Sequence, residues 1–167
     1  DAASAAATLE RSAKDLAEHR PVVEAIRDGL APFCVSLTIG AAPRIRALPH
    51  VLHLSTPVVG TLSADVALPR LVEALHPTPA IGGHPKRAAL AWIAEHEPQP
   101  RGWYSGPVGR IGADGDGEFA VAIRSALVEG RRATVYAGAG IVADSDPSAE
   151  FDETAAKERT ILTVLAG

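Results

Sequence analysis

"YAGAGIVADSDPSAEFDET", residues 136–154, changes character halfway along. Its first half alternates small residues with glycines behind an aromatic, which suits the end of a strand whose backbone a ligand can approach. In its second half Asp146 can cap a helix and Pro147 can take the first helical position. Five carboxylates follow or flank that start, at Asp144, Asp146, Glu150, Asp152 and Glu153. A strand therefore hands over to an acidic helix, predicted to run to about Leu165.

Upstream of this stretch the segments 104–113, 118–128 and 132–142 have strand composition, and "DGDG" and "EGRR" are turn signals between them. An antiparallel meander is the simplest arrangement. Alternation along the middle strand puts Phe119, Val121 and Ile123 on one face and Ala120, Ala122, Arg124 and Ala126 on the other. A tight hairpin at "EGRR" would set Arg124 beside Ala137, where it would suit a bound carboxylate. An arginine on the solvated face of a half-exposed sheet fits the same pattern.

Farther back, Leu9, Leu16, Val23 and Leu30 give residues 3–30 a helical stripe, in which Pro21 predicts a kink or a restart. "FCVSLTIG", "PRIRALPH" and "VLHLSTPVVGTL" read as short strands. Helical spacing returns over 65–75, and the loop "HPTPAIGGHP" hands over to a helix from about Lys86 to Glu97 with Pro85 in its first turn. Helices outside, antiparallel strands inside and no regular βαβ alternation predict an α+β fold with an antiparallel β-sheet core and flanking helices.

The 167 residues are 47% hydrophobic, enough for a core. A net charge of −4 with scattered arginines gives no footprint for nucleic acid. A single cysteine, Cys34, excludes an internal disulfide framework, and no Cys/His cluster has zinc spacing, so a reducing cytoplasmic setting is expected. No apolar run approaches the roughly 20 residues that cross a bilayer. The sequence starts at Asp1 without methionine, which suggests part of a longer protein. Only Lys14, Lys86 and Lys157 are lysines among 16 basic residues, so these positions are candidates for needing a compact ammonium.

On the last predicted helix Glu150, Glu153 and Lys157 fall at i, i+3 and i+7 and project from one face. They can be an ordinary acidic helix start with an i,i+4 pair. Buried in a cleft, the two glutamates would instead need a cation, and an all-oxygen donor set selects a hard ion such as Mg²⁺. Glu18 in "KDLAEHR" is a candidate third carboxylate, although Glu10, Lys14 and Glu18 also fit a solvated helix face. His53 shares a strand face with Val51 and Ser55, as a packing residue or as part of a site. There is no GxSxG elbow and no phosphate-cradling glycine loop ahead of Lys-Ser/Thr.

Seven motifs, "KDLAEH", "LHLSTPVVGTL", "LHPTPAIGGHPKRAA", "WYSGPVG", "FAVAIRSA", "YAGAGIV" and "SAEFDETAAK", together resemble, in order, the C-terminal half of the chorismate-utilising enzymes. That superfamily contains isochorismate, salicylate, anthranilate and aminodeoxychorismate synthases. The likeness spans about residues 10–165. Within it "HPTPA" is similar to the isochorismate synthases, since aminating and salicylate-forming relatives usually carry Thr where this chain has Ala80. Gly82 stands where relatives often have Ser.

The resemblance implies Mg²⁺-dependent conversion of chorismate to isochorismate, with water adding at ring carbon 2 as the carbon 4 hydroxyl leaves. Glu18 and Glu153 resemble direct metal ligands, and Glu150 one that acts directly or through water. Arg124, Tyr104, Lys157 and the Gly138 backbone match substrate-carboxylate contacts, His53 matches a residue beside the ring, and Ala80 leaves water as the nucleophile. The general base, a lysine, and the general acid, a glutamate, lie upstream in the family and match nothing in residues 1–167. The resemblance thus implies that the chain is the C-terminal portion of a chorismate-binding catalytic domain whose N-terminal half is absent, inactive alone. It leaves open whether the product feeds siderophore, menaquinone or another synthesis.

Overall fold

The computed structural model describes residues 2–48, 51–63 and 65–167, and these divide into two compact units, Asp1–Leu90 and Ala91–Gly167. The last two residues of the predicted strand "PRIRALPH", Pro49 and His50, lie outside the described residues.

In the first unit, helix α1 (Ala2–Arg11) is followed by α2 (Ala13–Leu30). A restart at Pro21 is not found; the chain restarts at Ser12 instead. Ser12 is extended (ψ 109°), and its hydroxyl accepts from the Asp15 N–H, so a capping serine supplies the new helix start. Pro21 sits inside an unbroken α2. Proline there forgoes a bond to the carbonyl of Ala17, an exposed position where water can take its place.

A 3₁₀ turn at Ala31–Phe33 leads into β1 (Cys34–Ile39), β2 (Arg44–Leu48), β3 (Val51–Ser55) and β4 (Val58–Leu62). They form two separate antiparallel ladders, β1 with β4 and β2 with β3. The expected run from Val51 to Leu62 is two strands because Thr56 and Pro57 stand between them, and Pro57 cannot donate to a ladder. Helix α3 (Leu68–Leu75) starts three residues later than its helical spacing suggested, with Pro69 in its first turn. A short helix, α4 (Pro79–Gly82), lies within the predicted loop, and α5 (Lys86–His96) follows. Helix α2 packs on α3 and α4 and on strands of both ladders, so it organises this unit.

In the second unit β5 (Pro107–Ile111) pairs with β6 (Gly117–Val121), and β7 (Ser125–Glu129) with β8 (Arg132–Tyr136). The turn at "EGRR" has two residues between the paired Glu129 and Arg132, and Gly130 takes φ 62°, a left-handed conformation that glycine adopts without cost. The continuous meander is not found. The chain leaves the ladder at Ala122–Arg124, so the predicted strand over 118–128 is two strands in two hairpins. Helix α6 (Pro147–Ala166) begins as the sequence implied: the Asp146 carboxylate accepts from the Ala149 N–H at 2.8 Å, and α6 packs on β8.

The architecture is α+β with antiparallel pairing throughout the described residues. The core expected from composition is thin. No apolar side chain among the described residues is fully buried, and Trp103, Val164, Ile141 and Phe151 are 73–80% exposed. Two-stranded ladders leave one face uncovered unless a second layer meets them, and isolated hairpins are marginal. No helix among the described residues is long and apolar enough to cross a membrane.

Candidate active site

In the second unit the corner where β8 runs into α6 gathers most of the residues the sequence singled out. Lys157, in the third turn of α6, donates from Nζ to the Gly138 carbonyl at 2.9 Å and pairs with Glu153 Oε1 at 2.6 Å. Tyr104 reaches the same glycine from the other side of the sequence: a Cβ on Gly138 would lie 2.9 Å from the Tyr104 hydroxyl. Any residue but glycine would push that phenol away, so the bare strand end has a physical reason. The Tyr104 ring stacks on Tyr136 with centroids 5.3 Å apart. Burial pushes the Tyr104 phenol above its usual pKa, with the Arg101 charge opposing, so it stays protonated and able to donate at neutral pH.

Two backbone bonds tie the Tyr104 turn to the Arg124 segment. Ser105 N–H donates to the Ala122 carbonyl, and Ala122 N–H to the Gly106 carbonyl, both at 2.8 Å. These bonds carry the β5–β6 pairing one step further, and the chain turns off it just after: the Ile123 N–H bonds back to the Val121 carbonyl at 2.8 Å and Arg124 takes a positive φ, so Arg124 does not sit in a regular strand as expected. Ser105 and Arg124 are the non-glycine residues with positive φ among the described residues, 62° and 49°. Such conformations cost roughly 1–3 kcal/mol each and tend to persist at functional sites. The last pair of the β7–β8 ladder is Ser125↔Tyr136, so Arg124 lies one residue outside it and the strand that the hairpin argument assumed for Arg124 is not formed.

On α6 Glu150 lies one turn before Glu153 and is 5% exposed, the buried charged residue among the described positions. Ser105, at 8%, is its buried polar counterpart. A carboxylate withdrawn from water is kept charged only by compensating charge or hydrogen bonds. Glu150 and Glu153, three residues apart, share one face of α6, and Glu153 is held by Lys157; carboxylate oxygens of this kind are donors that could hold a hard divalent cation.

In the first unit Glu18 stands in the second turn of α2, half-buried, with Lys14 Nζ at 3.8 Å. Its neighbour His19 holds the Thr56 hydroxyl at 2.8 Å, and burial keeps that imidazole below its usual pKa. His53 lies on β3 opposite Arg46, and Ala80 on α4; both are exposed, and α2 packs on both elements. Within either unit, no three His, Cys, Asp or Glu side chains among the described residues gather into a metal cluster. Sequence reasoning passed over Glu97 and Arg101, whose four-residue spacing just beyond the end of α5 is the usual signal of an ion pair.

The class of the chain is shown by its sequence match: it belongs to the chorismate binding enzyme family, which matches residues 1–166. It is 49% identical to the salicylate biosynthesis isochorismate synthase of Pseudomonas aeruginosa over 87% of its own length and 31% of that protein's. Against the isochorismate synthase MenF of Bacillus subtilis the identity is 44%, over 92% of this chain and 33% of the relative. The crystal structure of DhbC from Bacillus anthracis superposes on 98% of the chain with a TM-score of 0.94 at 41% identity, and the chain covers 44% of it. The chain spans 31–45% of the length of these and other curated relatives it matches.

Proposed function

We propose that this chain is the substrate-carboxylate and metal-binding portion of an isochorismate synthase, the C-terminal part of a catalytic domain completed by an upstream half of the same polypeptide. The reaction is the isomerisation of chorismate: water adds at ring carbon 2, the hydroxyl at carbon 4 is protonated and leaves, and the double bonds shift between them. The lysine base and glutamate acid would come from the upstream half, each worth typically about 10²- to 10⁴-fold in rate.

The observation that carries this reading is the convergence at Gly138 of Lys157, bonded to its carbonyl, and the Tyr104 hydroxyl, set where a side chain would otherwise stand. A phenol donor, an ammonium and an exposed strand end within reach of one another, with Arg124 on the adjoining strained segment, form a recognition surface for a carboxylate. Two of the three Lys157 N–H donors serve Gly138 and Glu153, and the third would serve the substrate. His53 would lie beside the ring, and the Ala80 methyl would leave water as the nucleophile.

Glu18, Glu150 and Glu153 would hold Mg²⁺, which when bound supplies positive charge to the substrate's ring carboxylate. The buried carboxylate of Glu150 and the all-oxygen donor set support this assignment.

Product analysis of the full-length protein with chorismate and Mg²⁺ tests the proposal. Isochorismate is expected. Salicylate with pyruvate, or an aminated product when ammonia is supplied, would reject it in favour of a sister activity, and chorismate binding without turnover would mark a non-catalytic module.

A further inference from the structure

The turn that carries Tyr104 is braced by a pair of residues with no place in the chemistry above. Glu97 lies one residue beyond α5, its N–H still donating helically to the Ile93 carbonyl at 3.0 Å. Its carboxylate takes both arms of the Arg101 guanidinium, Nε to Oε2 at 2.8 Å and an Nη to Oε1 at 2.6 Å. This is the planar two-point fork that arginine alone provides, and it fixes the guanidinium in orientation as well as position. The Arg101 charge is correspondingly reinforced by the Glu97 hydrogen bonds, with burial opposing.

The rest of Arg101 faces the Tyr104 turn. Its carbonyl accepts from the Tyr104 N–H at 2.9 Å, its other Nη lies 3.4 Å from the Ser105 hydroxyl, and its guanidinium carbon is 6.0 Å from the Tyr104 ring centroid. Ser105 is the buried, positive-φ residue whose N–H anchors this turn on Ala122. The clamped guanidinium therefore reaches the side chain after Tyr104 and its ring, while the Arg101 main chain holds the Tyr104 N–H.

We propose that Arg101, clamped by Glu97, is a positioning residue that sets where the Tyr104 hydroxyl meets the substrate carboxylate at Gly138. The inference rests on the proposed role of Tyr104 in chorismate binding. It does not place Arg101 in contact with substrate.

The test is a double-mutant cycle in the full-length enzyme, following KM for chorismate and kcat separately. Tyr104→Phe removes the hydroxyl and should raise KM about tenfold, about 1.4 kcal/mol. Arg101→Gln should raise KM by a similar factor with kcat changed less, and Arg101→Lys, which keeps charge but not the fork, should not restore it. In the Tyr104→Phe background Arg101→Gln should add less than about twofold, because coupled residues lose the same interaction once. Glu97→Gln, a milder loosening of the same clamp, gives the cycle if Arg101→Gln does not fold.

A full, additive effect of the arginine or glutamate change in the Tyr104→Phe background would overturn the proposal and leave a purely structural pair. Unchanged KM on Arg101→Gln would overturn it too. Tyr104→Phe without effect on KM would instead sink the carboxylate-contact reading beneath it, and an enzyme that does not convert chorismate would sink the function.

Discussion

The two units carry their candidate site residues in opposite ways. In the second, Lys157 contacts Gly138 and Glu153 directly and the Tyr104 hydroxyl takes the space a Gly138 side chain would need, and Gly138, Glu153 and Lys157 come from twenty consecutive residues around one strand-to-helix corner. In the first, Glu18, His53 and Ala80 sit on α2, β3 and α4, joined by packing on α2. One set is built by local chain geometry, the other by tertiary packing. The corner should therefore respond to changes in individual atoms, and the α2 set to changes in how its elements pack.

The sharpest way to break this contrast is to remove the proposed metal carboxylates in the full-length protein. Glu153→Ala removes a donor and frees Lys157 from its 2.6 Å partner, so Mg²⁺-dependent turnover should fall at least about a hundredfold, the upper end of what outer-shell metal partners cost. As an exposed helix pair the same contact would be worth only about 0.3–0.5 kcal/mol. Mg²⁺ titration alongside turnover separates the two. Turnover and Mg²⁺ affinity within twofold of wild type would return Glu153 to an ordinary helix face.

The difference between the units also explains what could be read without coordinates. The α6 start was legible because Asp146 and Pro147 act within one turn, and the "EGRR" hairpin because a two-residue loop fixes its own register. The pairing of Ser125 with Tyr136, one residue short of Arg124, followed from that register. The departure of Arg124 from the strand did not, because it depends on the Ile123 N–H bonding back to the Val121 carbonyl and on the positive φ of Arg124, a turn in which no Gly, Pro or Asn marks the sequence. In α2 the conspicuous breaker, Pro21, was outweighed by an inconspicuous capper, Ser12. The roles of Glu18 and His53 were named through a family likeness carried by seven ordered motifs, since spacing alone left a solvated helix face open.

A smaller effect is expected at Gly138 itself. In Gly138→Ala the new methyl would stand 2.9 Å from the Tyr104 hydroxyl, too close for both to keep their places. The phenol shifts, and because a misplacement of about 1 Å can cost up to about 100-fold, kcat/KM for chorismate should fall roughly 10- to 100-fold. Mg²⁺ affinity should hold, as Glu150 and Glu153 lie on α6. In Gly138→Ala/Tyr104→Phe the clash is relieved, and a methyl penalty that persisted undiminished would show that this contact does not govern the corner.

The finest comparison sets one helix cap against the other. Ser12→Ala and Asp146→Ala each delete a side chain that accepts a backbone N–H, from Asp15 at 3.2 Å and from Ala149 at 2.8 Å. Each should cost about 1 kcal/mol of stability. Asp146→Ala should cost somewhat more, since a carboxylate also meets the positive end of the helix dipole. Their functional consequences should part. Capping acts on the first turn, which on α6 contains Glu150, whereas Glu18 lies six residues beyond Ser12 and outside the turn it organises. Asp146→Ala should therefore weaken Mg²⁺ binding several-fold, while Ser12→Ala lowers melting temperature and leaves Mg²⁺ affinity alone. The reverse order would mean that the metal answers to the start of α2, and that the strand-to-helix corner is not where its geometry is set.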